Sequence, residues 1–298
     1  MNKSIFPKLL IILFFFSILC FPKSSLAGAK TGLQLWFFTL LPSLLPCMIL
    51  GQYIQQFPMV QAFGYKKYAI LIGFLCGYPT GAKIVTNLYE NHKLSKKQAQ
   101  NLVGFCNNPS PNFLISYVYL QHIKNALPLP LFLCLLYLPP ILFGIGMHLY
   151  SSIGDKTEQN STLLQQNKEV ITNTAISFDS CIVSGYETIC KVGGYVLLFS
   201  VLSSILLQNL PMPTDIKYIL VSLLEVTGGV HYLCQTSFPS HIRFLLCGIL
   251  SSFGGICTVA QTAGILKEGE LSIGYYILHK SIQCMLLLFL FFVIIQIL

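Results

Sequence analysis

The sequence predicts an all-α fold, a polytopic transmembrane helical bundle with two broken or re-entrant segments. Three observations carry this. Apolar residues make up 54% of the chain and charged residues only 9%, against about a quarter charged in a water-soluble domain. Runs such as Leu9–Phe21, Leu127–Leu149, Val192–Leu207, Ile216–Tyr232 and Ile282–Leu298 span or nearly span a hydrocarbon core of roughly 30 Å. Finally, glycine, proline and polar side chains interrupt two of the apolar segments near their middles.

Taken in order, the first apolar helix is Leu9–Phe21, after a basic Met1–Lys8. Ser25-Leu26-Ala27 has the small-x-small form of a signal-peptidase site. Pro22 and Lys23 make it a poor one, so residues 1–30 are expected to stay as an anchor helix and linker. Gly32–Tyr53 is a second span, with Pro42 and Pro46 predicting a kink. Tyr68–Tyr89 contains CGYPTGAK (76–83), and Glu90–Gln100 is a short polar connection. Leu102–Leu120 begins at the polar knot Cys106–Asn112, and Leu127–Tyr150 follows. Ser151–Ser180 is a hydrophilic loop, after which come spans at about 185–208, 216–234, 243–266 and 275–298. The whole reads as one integral membrane domain, its halves (31–150 and 181–298) joined by the loop at 151–180.

Tyr68–Tyr89 would be about 33 Å long as one straight helix. Pro79 removes a backbone donor, and Gly77 and Gly81 permit angles that other residues resist. Freed carbonyls are costly in lipid, so the break must be buried in protein or must line water. Two geometries fit: a crossing helix broken at its midpoint, or a hairpin with Tyr78–Gly81 at its tip. With Tyr68–Tyr89 and Arg243–Leu266 both re-entrant, the cations sort by side. Lys3, Lys8, Lys66, Lys67, Lys93, Lys96, Lys97, Lys156, Lys168, Arg243 and Lys267 fall inside; Lys23, Lys30, Lys124 and Lys217 fall outside. That obeys the positive-inside rule and favours the hairpins.

A weak internal repeat is also visible. GFLCGYPTGAKIVTNLY (73–89) can be laid over GILSSFGGICTVAQTAG (248–264), and Gly32–Phe57 over Gly185–Leu210. Paired Gly/Pro-interrupted segments in two halves point to a binding site in transporter-like folds. An inverted repeat would want its hairpins to enter from opposite faces, whereas the lysine count puts both on one.

The eleven cysteines fall singly, with no Cys-x-x-Cys pair, and are expected to serve as small buried hydrophobes. His148, His231 and His279 have no ligand spacing, so no metal or cofactor is expected. The net charge of +8 suits lysines facing anionic lipid, and with no soluble domain there is no nucleic-acid partner.

LPSLLP (41–46), GYPTGAK (77–83), FCNNPSP (105–111) and LLEVTGG (223–229), in that order, resemble the YlbJ-type sporulation integral membrane proteins. The resemblance covers about Gly32 to Leu298, with a more proline-rich 108–111 here. It implies the nucleoside-recognition (Gate) domain shared with nucleoside transporters and ferrous-iron permeases. It also implies a role in endospore formation, in cortex or envelope assembly.

Lys83 would lie in the first turn after a break, where the helix dipole disfavours a cation, so it is expected to face an anionic group or cavity. Glu225 lies mid-segment, where a carboxylate is either functional or hydrogen-bonded to a neighbouring break. Asn107 and Asn108 can cap a broken helix or bind a polar solute. Gly254 and Gly255, followed by Gln261, serve either close packing or ligand contact. Broken backbone at membrane depth needs polar neighbours. Tyr78, Thr80, Lys83, Asn107, Asn108, Glu225, Gly254, Gly255 and Gln261 are therefore expected to converge on one central site, with Lys83 and Glu225 coupled. Three functions compete: a permease for a small polar, nucleoside-like or anionic solute; a non-transporting scaffold for spore-envelope proteins; and an intramembrane enzyme. The last is weakest, for no nucleophile–base pair or metal cluster is present.

Overall fold

A computed structural model describes residues 5–123, 127–154 and 177–297. The hydrophilic loop expected at 151–180 lies largely outside the described residues. All regular structure among the described residues is helical. Among the described residues, five helices are long and apolar enough to cross a bilayer: Pro22–Ile54, Leu129–Met147, Phe178–Asn209, Ser240–Glu268 and Ile273–Ile294. Their outward faces carry Phe38, Met285 and Phe289, each more than half exposed, which suits side chains that meet lipid tails. The protein is a multi-pass membrane protein.

Helix α1 (Ile5–Cys20) precedes a 33-residue rod. The rod is α2 (Pro22–Leu35), a π-helical turn π1 (Trp36–Leu40) and α3 (Leu41–Ile54). Where a kink is expected, a π turn lies just ahead of Pro42, with the Leu41 N–H reaching back to the Trp36 carbonyl. Residues 22–30, expected as linker, are helix. Their small residues let α2 press against a later helix, and a Cβ at Gly28 would lie 2.6 Å from the Ser200 carbonyl.

After a short α4 (Pro58–Phe63), α5 (Tyr65–Cys76) and α6 (Thr80–Glu90) pack on each other as a hairpin. Gly77, at φ 82°, makes the turn. Helix α7 (Lys96–Cys106) opens with a capping box, Ser95 and Gln98 each bonding the other's backbone. It leads through the polar knot into a π-helix, π2 (Phe113–Ile123), and α8 (Leu129–Gly154) follows. Helix α7 and π2 hardly touch each other, so they form one broken rod.

The same order is then met again. Helix α9 (Phe178–Asn209) is a 32-residue rod lying along α2 and α3. A second hairpin follows, α10 (Thr214–Ser222) and α11 (Val226–Cys234). A second broken rod, α12 (Ser240–Phe253) and α13 (Gly255–Glu268), turns at Gly254, φ 89°, and its halves do not fold onto each other. Helix α14 (Ile273–Ile297) ends the bundle.

The hairpins also differ from the sequence expectation. The second folded-back pair is 214–234, not Arg243–Leu266. Residues 216–234 have the length of a span, and only Leu223–Glu225 mark the turn. By element order, 65–90 corresponds to 214–234, so laying 73–89 over 248–264 pairs a hairpin with a broken rod.

Candidate functional site

Each hairpin docks its turn into the break of the rod that follows it. In the first, a Cβ at Gly73 would lie 2.5 Å, and one at Gly81 2.7 Å, from the Cys106 carbonyl oxygen. Both arms therefore straddle one carbonyl, at the C-terminus of α7. That closeness requires glycine at 73 and 81, whereas Gly77 is required by its positive φ in the turn and by its approach to Ser110. The Ala82 N–H donates to Asn107 Oδ1 at 3.3 Å. In the second hairpin the N–H groups of Ile256 and Cys257, freed at the start of α13, donate to the carbonyls of Leu223 and Leu224, both at 2.8 Å. In each hairpin–break pair a freed backbone N–H thus finds its acceptor across the pair, as low-dielectric surroundings demand.

Between the paired breaks lies a cavity of about 240 Å³. Tyr78 and Pro79 of the first turn, Ser110, Asn112, Ser116 and Tyr117 of the first broken rod, and Glu225 and Thr227 of the second turn line it. Gln121 of π2, Thr258 and Gln261 of α13, and Thr39 and Ser43 of the first rod add to its polar wall. None of its lining residues is Lys, Arg or His. The Tyr78 hydroxyl is buried without a hydrogen-bond partner, while Tyr117 OH is fixed on the Thr227 carbonyl at 2.7 Å. Such a space, ringed by hydroxyls and amides with one carboxylate, suits a small donor-rich solute.

Glu225 is the N-cap of α11. Its two carboxylate oxygens accept the backbone N–H groups of Thr227 (2.8 Å) and Gly228 (2.7 Å). These bonds, together with the helix N-terminus, hold the charge at depth.

Of the nine residues named from sequence, Tyr78, Glu225 and Gln261 line the cavity. Gly254 and Gly255 form the break on which the second turn docks. Thr80, Asn107 and Asn108 lie behind the first turn, nearly fully buried. Asn107 Nδ2 donates to Thr262 Oγ1 and Tyr276 OH, both at 3.1 Å, and so ties the first hairpin to α13 and α14.

Lys83 stands apart. Its ammonium lies 3.1 Å from Glu268 at the end of α13, and Glu268 also meets Lys191 of α9 at 2.9 Å. No ion pair among the described residues joins Lys83 to Glu225. Lys83 sits in the first turn of α6 and takes its countercharge from the far end of α13, whereas Glu225 caps α11. The expected coupling of the two is therefore replaced by two separate arrangements.

Sequence reasoning passed over Lys280, which is fully buried in α14. It donates to Asn108 Oδ1 at 2.7 Å and Gln283 Oε1 at 3.2 Å, and Gln283 in turn donates to the Gly104 carbonyl at 2.8 Å. A lysine inside an apolar run was a readable signal, by the same rule that singled out Glu225.

Among curated proteins the chain is similar to the sporulation integral membrane protein YlbJ of Bacillus subtilis (strain 168). The two are 25% identical over 339 residues, covering 95% of this chain and 81% of the relative. No family model matches the chain. No solved structure matches it either.

Proposed function

We propose that this chain is a membrane protein of endospore formation that acts as a permease for a small polar solute. The likeness to YlbJ supports the sporulation role, in cortex or envelope assembly. The observation that carries the permease is the polar cavity held between two docked hairpin–break pairs. Protein that merely spans and scaffolds has no need of four breaks facing one polar space, for each break gives up helical hydrogen bonds. The Gate-domain resemblance points the same way at the level of fold.

In this proposal the two hairpins are re-entrant and enter from opposite faces, so the halves form an inverted repeat. Following the chain through its crossings puts Lys66, Lys67, Lys93, Lys96, Lys97 and Lys267 on one face, and Lys23, Lys30, Lys217 and Arg243 on the other. The richer face is cytoplasmic by the positive-inside rule. Moving the second hairpin from 243–266 to 214–234 removes the conflict between the lysine count and an inverted repeat. Rocking of one half against the other would then expose the cavity to each side in turn.

Two measurements test this. A null mutant of a spore-forming host, complemented with this gene, should regain heat-resistant spores, and purified protein in proteoliposomes should take up polar solutes. Restored spores with no uptake of any neutral, cationic or anionic solute would leave the scaffold of spore-envelope assembly in its place.

A further inference from the structure

We propose that a second cavity, between α2, α9 and the second hairpin, binds a monovalent alkali cation, with Glu225 as its charged ligand. The cavity has a volume of about 240 Å³, and Thr31, Ser200, Ser203, Ser204, Gln208 and Glu225 supply its polar wall. Glu225 lines the central cavity as well. One carboxylate is the partition between two polar spaces.

The two N–H groups and the helix N-terminus stabilise the Glu225 charge without neutralising it, which leaves room for a cation. Neither cavity has a Lys, Arg or His in its lining. No ion pair among the described residues involves Glu225. The nearby lysines are committed elsewhere: Lys83 and Lys191 to Glu268, Lys280 to Asn108 and Gln283. A carboxylate offers about four lone-pair directions, and the two backbone N–H groups use one on each oxygen. Each oxygen thus keeps acceptor capacity while its position is fixed.

The ligand chemistry selects the ion. Hydroxyl, amide and carboxylate oxygens are the partners of hard cations, and a divalent ion usually takes more than one carboxylate. A single carboxylate among neutral oxygens suits one positive charge. Close packing accounts for Ser200 and Ser204, because Gly28 and Gly32 of α2 press against them. It does not account for a carboxylate at the same place.

The partition gives the site a consequence that rests on the permease reading. A cation in the second cavity neutralises the wall of the first, so cation and solute alter each other's affinity by the same factor.

The test is thermal unfolding of the full chain in nanodiscs, titrated with NaCl or KCl against choline chloride at constant ionic strength. A saturable rise in Tm with an alkali cation, absent in choline, is expected. Ser203→Ala should shift the cation midpoint at least about tenfold, since losing even an outer-shell partner costs that much at metal sites. Glu225→Gln should abolish the effect, and Glu187→Gln, at an exposed carboxylate, should keep it. Equal Tm in alkali and choline salts overturns the site, as does an undiminished rise in both Ser203→Ala and Glu225→Gln. An alkali-dependent Tm without solute uptake leaves the site standing and overturns the permease. Solute uptake with no alkali effect on Tm overturns the site alone.

Discussion

Lys280 donates to Asn108 Oδ1 at 2.7 Å, joining the last helix to the break in the first broken rod. Both residues are almost completely buried, and the lysine's other hydrogen-bond partner is the neutral Gln283. Removing one partner of a buried charged group leaves the other uncompensated, which costs about 3–5 kcal/mol. Asn108→Leu is therefore expected to lower stability by that order, read as a drop in the denaturation midpoint in detergent. Asn108→Leu combined with Lys280→Met should cost clearly less than the sum of the two singles, because the residues touch. Additive losses would mean that the contact carries no energy of its own.

The straddled carbonyl of Cys106 gives a sharper steric prediction. Gly81→Ala puts a methyl 2.7 Å from a backbone oxygen that cannot move without shifting α7. Overpacking of this kind costs about 1–3 kcal/mol, so the variant should unfold earlier. Gly146→Ala in α8 is the matched control, since nothing lies within 4 Å of its Cβ position. There alanine should be neutral or stabilising by up to about 1 kcal/mol, from helix propensity. Equal thermal midpoints for the two variants would contradict the docking of the first hairpin on α7.

How much of this was legible in the sequence depends on where the signal lay. Gly77-Tyr78-Pro79 announces its break, because few other residues would be tolerated inside an apolar run for any other reason. The turn at Leu223–Glu225 carries no glycine or proline. Its flanks, 216–234, match a bilayer in length, so a hairpin of two short helices reads as one span. Glu225 was visible as a carboxylate at depth, but its role as a cap depends on a backbone turn that periodicity does not reveal. The partner of Lys83 lies 185 residues along the chain. No spacing rule reaches so far.

Opposite entry of the hairpins is checked by labelling single cysteines in a background stripped of native thiols. Cysteines at Lys66 and Lys93 flank the first hairpin, and cysteines at Asp215 and Ser237 flank the second, where those two residues hydrogen-bond each other. The first pair should react with an impermeant maleimide from the cytoplasmic face, the second only from outside. Reaction of all four from one face refutes the inverted arrangement.

Lys83 and Glu225, lying in separate arrangements, should behave differently in vivo. Lys83→Met removes one arm of a three-helix cluster in which Glu268 is 38% exposed and still meets Lys191. Ion pairs that partly face solvent are worth about 0–1 kcal/mol, so abundance and resistant-spore counts should stay near wild type. Glu225→Gln differs in both respects. The amide can accept with only one oxygen, and its NH₂ group meets a backbone N–H, so the cap weakens by about 0.5–2 kcal/mol. More importantly, the only charge among the described residues on the wall of the central cavity is gone. Membrane abundance measured by immunoblot should fall modestly, whereas heat-resistant spores should fall by orders of magnitude. Should spore counts merely track abundance in Glu225→Gln, the carboxylate is a cap and nothing more. Should Lys83→Met abolish resistance at normal abundance, the working charge lies in the cluster at the end of α13 and not in the cavity.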